Sequence, residues 1–241
     1  MTAKSKENDY QGFEQGPIRP PSEADSLLIR VTRNCPWNRC RFCPVYKGRR
    51  FALRALAHVL EDIDRVHRYV TAIRETVAEA GHLSPRDVQQ IGEAVTPRDD
   101  GAFQAALRWQ ASGMQSIFIQ DANSMVIKPA ELKAVLGHLR SCFPWVERIT
   151  SYARSHTVAR IADADLEAFA AAGLNRIHIG LESGSDRVLT RMKKGVTKAG
   201  HIKAGQKIKQ AGMQLSEYVM PGLGGRELSR DHALETADCL N

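Results

Sequence analysis

Short apolar runs alternate with longer stretches of helical spacing along most of the chain. The run SLLIRV at 26–31 is apolar and rich in branched side chains, as a buried strand requires. From 53 to 80 apolar residues recur at 56, 60, 63, 66, 70, 73 and 77, which is helical spacing, and Gly81 stands where a C-terminal cap belongs. LSPRDVQQI carries Ser, Pro and then an acid, a helix-start pattern, and a further helix is predicted over 101–112. Four more strands are predicted in SIFIQDAN (116–123), ERITSYARS (147–155), RIHIGLES (176–183) and QLSEYVMPG (214–222). Helical patterns follow them at KPAELKAVLGHLRSC, DADLEAFAAAG, 197–211 and LSRDHALETADCLN.

Repeated strand–helix units imply a parallel sheet with right-handed crossovers. Five units are too few for a closed eight-fold barrel, so the pattern predicts an α/β fold, either a partial barrel or an open sheet. Both architectures bind ligands at the C-terminal ends of their strands. Those ends are 32–43, 120–123, 152–155, 181–184 and 219–222. Ahead of this core, which covers 26–241, residues 1–25 are polar and contain Pro17, Pro20 and Pro21. They are expected to form a flexible lead-in that need not pack. A sixth strand is missing, which leaves an edge that another segment would have to cover unless the chain is a truncated piece.

Composition narrows the setting. The chain has 241 residues, 43% hydrophobic and 25% charged, an ordinary globular balance. No apolar run approaches the roughly 18 residues of a membrane span, and the N-terminus has no apolar core of a secretory signal. A cytoplasmic location with reduced thiols and no membrane partner is therefore expected. The net charge of +7 is concentrated: eight Lys/Arg and no acid from Ser26 to Leu60, and eight against Asp186 alone from Ser185 to Met213. Such stretches are solvated helix faces or a field that attracts an anion. They also permit a nucleic-acid partner, although no aromatic-rich RNA platform accompanies them.

The chemistry lies in RVTRNCPWNRCRFCPVYKG, which puts Cys35, Cys40 and Cys43 within nine residues directly after the first strand. Thiolates select soft metals. A structural zinc site needs four ligands, and no second CxxC follows, although a histidine such as His178 could complete one. Three thiolates on one loop suit an iron–sulfur cubane with one iron left open. No Walker motif, G-x-S-x-G or H-E-x-x-H occurs.

Cys35-x4-Cys40-x2-Cys43, with Phe42 before the last cysteine, resembles the cluster loop of the radical S-adenosylmethionine superfamily, whose usual spacing is CxxxCxxC. RIHIGLESGSDRVLTRMKKGVT resembles the fourth-strand region of its Elongator-like and methylthiotransferase-like branches. The resemblance implies a partial (βα)6 TIM-type barrel lacking its last βα unit. It implies a [4Fe-4S] cluster on Cys35, Cys40 and Cys43, with S-adenosylmethionine on the fourth iron. Reductive cleavage would then give a 5′-deoxyadenosyl radical that abstracts hydrogen from a substrate. The cofactor contacts it implies are Phe42 on the adenine, Asp121 on the amine, Glu182 and Ser183 on the ribose, and Arg187 or Arg191 on the carboxylate. Arg154, at the end of the third strand, could also clamp a carboxylate. The basic residues around the loop could offset the cluster's charge or dock an acidic electron donor such as flavodoxin or ferredoxin. A non-catalytic electron-transfer or RNA-binding protein is the alternative.

Overall fold

The structure, a computed structural model, describes residues 9–241. Five strands form one parallel sheet: β1 (Leu27–Arg30), β4 (Ser116–Gln120), β5 (Arg148–Ala153), β6 (Arg176–Glu182) and β7 (Gln214–Val219). They lie in the order in which the chain makes them. That order has no switch point, so it belongs to a barrel wall rather than a doubly wound sheet. A two-stranded antiparallel ribbon, β2 (Thr32–Arg33) with β3 (Ala52–Leu53), brackets the cysteine loop. This ribbon was not predicted, because two-residue strands carry no periodic signal.

Ring contacts show that the sheet is curved. Phe118 of β4 meets His178 of β6 with centroids 6.0 Å apart, and Tyr152 of β5 meets Tyr218 of β7 at 6.1 Å. In a flat sheet, strands two apart are separated by roughly 9.5 Å. The rings therefore converge on a concave face, and the fold is the partial barrel expected, with five strands among the described residues.

Helices cover the convex face. They are α1 (Leu56–Ala80), α2 (Pro85–Glu93), α3 (Asp100–Ala111), α4 (Pro129–Cys142), α5 (Ser155–Val158), α6 (Asp163–Ala171), α7 (Asp186–Arg191), α8 (Lys198–Gln210) and α9 (Ser229–Leu240). Gly81 ends α1 at φ 77°, a left-handed conformation that costs glycine little. Ser84 opens α2 with a capping box to Asp87. Ile63, Val66, Ile73, Trp109, Leu136 and Phe143 form the core between helices and sheet. No helix among the described residues is long and apolar enough to cross a membrane.

The lead-in departs from expectation over its described part, and residues 1–8 of it lie outside the described residues. Residues 9–25 are not a loose tail: Tyr10 to Phe13 pack against α1 and α3, and Gly16 to Glu23 run along the concave face to its base. Tyr10 donates to Asp62 at 2.7 Å, the Gly16 N–H to Gln120 Oε1 at 2.8 Å, and Ser22 meets the Tyr218 hydroxyl at 3.2 Å. Glu23 is fully buried, 2.9 Å from His178 Nε2 and 2.5 Å from the Ser26 hydroxyl. Burial alone would raise the Glu23 carboxyl, but hydrogen bonds from His178 and Ser26 outweigh it and hold the group below its ordinary value. An unfinished barrel exposes polar groups on its inner wall, and the polar lead-in satisfies them.

Replacing Glu23 with Ala strands His178 in the interior. We expect a loss of about 3 kcal/mol in urea melts; a loss below about 1 kcal/mol would mean that the lead-in is not anchored there. A second test uses pH. Glu217 shares the helix-facing side of β7, opposite Ile179, and burial raises its carboxyl from 4.5 to about 7. A raised carboxyl binds protons better in the folded chain, so its stabilising contribution is lost as pH rises through about 7. Glu217→Gln should gain about 1–2 kcal/mol at pH 8, discounted for partial exposure. The gain should vanish toward pH 4.5, the ordinary value. Equal gains at both pH values would refute the assignment.

Candidate active site

The cysteine loop leaves β2 and is pinned on two sides. On one side Asp121, at the end of β4 and 2% exposed, accepts from three groups. They are Arg30 Nη2 at 2.8 Å, the Asn34 N–H at 3.1 Å and, at short range, the Tyr46 hydroxyl. Burial and then Asp121 push the Tyr46 phenol well above its ordinary value, so it stays a donor. On the other side the Trp37 indole donates to the Lys193 carbonyl at 2.7 Å and the Arg41 N–H to the Met192 carbonyl at 2.9 Å. Asn34 and Asn38 take left-handed φ values of 66° and 47°, a region asparagine tolerates, and the Asn38 amide donates to the Tyr46 carbonyl at 2.5 Å. The loop thereby turns all three thiols inward.

Cys35, Cys40 and Cys43 are half-buried and line one cavity of about 170 Å³ with Phe42, Glu182, Arg154 and Lys194. Its remaining walls include Ile18 of the lead-in and the rings of Tyr152 and Tyr218. Burial raises the Cys40 thiol, Lys194 and Arg154 draw it back, and the other two cysteines oppose them. Both cations line the same cavity as the thiols. Arg154 also lies over the Trp37 ring at 5.0 Å and donates to the Lys194 carbonyl at 2.8 Å.

Glu182 reaches the cavity through a break in β6. The pairing with β7 shifts register between Gly180 and Glu182, and Glu182 has φ 65°. Such a bulge re-aims a side chain. Its carboxylate sits 3.2 Å from Lys194 Nζ. A Cβ at position 180 would collide with that carboxylate, so glycine there keeps the pair in place.

The sequence model of the radical SAM superfamily matches residues 29–238, nearly the whole chain. The chain belongs to the radical SAM superfamily. No curated protein sequence matches it. Among solved structures, this radical SAM chain is similar to OxsB, a cobalamin-dependent S-adenosylmethionine radical enzyme solved with aqua-cobalamin and S-adenosylmethionine bound. That likeness has a TM-score of 0.53 at 20% identity, over 89% of this chain and 26% of OxsB. It is also similar to TsrM, a radical S-adenosylmethionine methyltransferase from Kitasatospora setae solved with cobalamin and a [4Fe-4S] cluster bound. Here the TM-score is 0.51 at 14% identity, over 94% of this chain and 40% of TsrM. At such identities the likeness is one of fold, and the chain spans well under half of either protein.

The radical SAM cavity gathers the three cysteines, Phe42, Glu182 and Arg154 of the residues singled out from sequence. Five others fall elsewhere: Asp121, Ser183, Arg187, Arg191 and His178. Asp121 does not line the cavity; its carboxylate is taken up by Arg30, Tyr46 and Asn34, so it holds the loop rather than facing a ligand amine. Ser183 is fully buried behind the strand, 2.8 Å from His232 Nδ1. Arg191 is on the outer surface, 2.8 Å from Glu227, and Arg187 pairs with Asp231 at 2.5 Å. His178 contacts Glu23 well below the thiols and does not complete their ligand set. Of the loop's own cations, Arg33 is held by Glu14 at 2.6 Å. Lys194 was not foreseen; the only signal was the turn around Gly195 that sends it back toward the cavity.

Proposed function

We propose that this chain binds a [4Fe-4S] cluster through Cys35, Cys40 and Cys43 and S-adenosylmethionine beside it, and acts as a radical enzyme on a substrate of its own. One observation carries this reading: three half-buried thiols face a single cavity at the C-terminal ends of the strands, together with one carboxylate and two cations. The donor set fits the group, since three thiolates are an anionic, soft ligand set and Arg154 and Lys194 supply compensating charge. Bound there, the cofactors supply a reductive cleavage yielding a 5′-deoxyadenosyl radical for hydrogen abstraction. Phe42 offers an apolar face, and Glu182 accepts hydrogen bonds from hydroxyl groups. Ile18, Tyr152 and Tyr218 keep water from the interior. At about 170 Å³ the cavity is smaller than the roughly 300–1,000 Å³ usual for small-molecule pockets, so the cofactor extends from the thiols over the open strand ends, and the substrate binds beyond it. Kinship with the Elongator-like and methylthiotransferase-like branches is supported by the 176–197 segment.

The test is made without oxygen: reconstitute with iron and sulfide, reduce with dithionite, add S-adenosylmethionine and assay 5′-deoxyadenosine. It should form with the wild-type chain and be undetectable with Cys35→Ala, Cys40→Ala or Cys43→Ala. A cluster that assembles and never cleaves would favour the electron-carrier reading, and zinc in its place would overturn the proposal.

The reductant is proposed to be an acidic protein such as flavodoxin or ferredoxin. A groove of about 850 Å³ supports this, lined by Arg39, Arg160, Lys193 and Lys203 with no carboxylate among its described lining residues. Trp37, two residues from Cys35, forms part of its wall. Arg160→Glu combined with Lys203→Glu should slow flavodoxin-driven cleavage by about 10-fold or more at low salt. Dithionite-driven cleavage should be unchanged. Equal slowing of both would refute the docking site.

A further inference from the structure

Away from the cysteine loop, Asp64 of α1 meets His138 and Cys142 of α4. The Asp64 Oδ1 atom is 2.6 Å from His138 Nε2, and Cys142 Sγ is 3.7 Å from the same nitrogen. All three donor atoms lie within 4.8 Å of one another. Residues four apart on a helix share a face, which is why one turn of α4 presents both the imidazole and the thiol. Cys142 is followed by β5 at Arg148, so the group sits toward the N-terminal rim of the sheet, the end opposite the cysteine loop.

The convergence is informative. A Cys–His–Asp relay puts the thiol on one ring nitrogen and the carboxylate on the other. Here both face Nε2, where one N–H can serve only one of them. Three lone-pair donors aimed at one point are reconciled by a cation between them. We propose that Asp64, His138 and Cys142 form a zinc site that clips α1 to α4, with a fourth position open to water.

The spacing suits the ion. Zn–N of about 2.0–2.1 Å, Zn–S of about 2.3 Å and Zn–O of about 2.0–2.2 Å at tetrahedral angles put N and S about 3.6 Å apart and N and O about 3.4 Å apart. The imidazole–thiol distance already matches. Asp64, an exposed side chain, has to withdraw by about 0.8 Å, well within its rotamer freedom. A sulfur ligand with one nitrogen and one oxygen favours zinc over calcium or magnesium, which take oxygen cages. Binding releases the Cys142 thiol proton to solvent. On a barrel's N-terminal face such a clip serves stability rather than catalysis.

The experiment is equilibrium dialysis of the full chain against Zn²⁺, with metal counted per chain, and Co²⁺ as the optical probe. The loop thiols add the same background to every variant. His138→Ala and Cys142→Ser should each hold one ion fewer than wild type, and exposed Asp64→Asn should bind that ion about 10-fold more weakly. Cys142→Ser should remove one thiolate-to-cobalt charge-transfer band. A chain with Cys35, Cys40 and Cys43 all changed to Ser should keep one ion, and its Tm should rise with zinc. Equal metal counts in wild type, His138→Ala and Asp64→Asn would overturn the site. So would loss of all zinc from the loop variant.

Discussion

Asp121 is a buried anion that three separate parts of the chain must meet at once. Arg30 reaches it along β1, the Asn34 amide and Tyr46 hydroxyl come from the cysteine loop, and Gly16 of the lead-in comes so near that a Cβ there would lie 3.1 Å from its carboxylate. A carboxylate removed from water must be matched by donors, or it is strongly unfavourable. Matching this one fixes the β1–β4 seam against the loop that carries the thiols. Glu14 repeats the arrangement nearby, with Arg30, Arg33 and Arg54 around it. There burial favours the neutral acid, but the surrounding guanidiniums win and the carboxyl sits below its ordinary value. The thiols are thus positioned by two anions that never touch the cavity.

The same charges explain why the inner wall of an unfinished barrel is orderly. Its upper part is a ring of arginines and carboxylates, and its middle is the stack of Phe118, Tyr152, His178 and Tyr218. Glu23 closes the base. The lead-in contributes a partner at each level, so wall and filler are one unit. Ile18 then becomes part of the cavity itself.

The positions of the strands and helices were legible because buried parallel strands are short apolar runs and glycine marks the helix ends, both local signals. The cysteine triplet was legible because its spacing is local too. Asp121 was not, because an acid at a strand end reads the same whether it faces a ligand or an arginine, and only the donors around it decide. Arg191 and Ser183 failed similarly: α7 turns the first outward to Glu227, and the second packs against His232 of α9. The lead-in was misread because Glu14 and Glu23 look like solvated acids when their partners lie far along the chain. Lys194 arrives through a turn with left-handed Lys193 and Gly195, a feature of backbone shape rather than of spacing.

The filler also bears on the order of assembly. Strands laid down in sequence pair with neighbours just made, so most of the wall can form from nearby segments. The contact of Ser22 with Tyr218 spans 196 positions and that of Glu23 with His178 spans 155. Long loops close late, because their entropy must be lost before distant contacts can compensate. The stretch synthesised near the beginning therefore finds its seat only when β6 and β7 exist, and until then the inner wall stays wet.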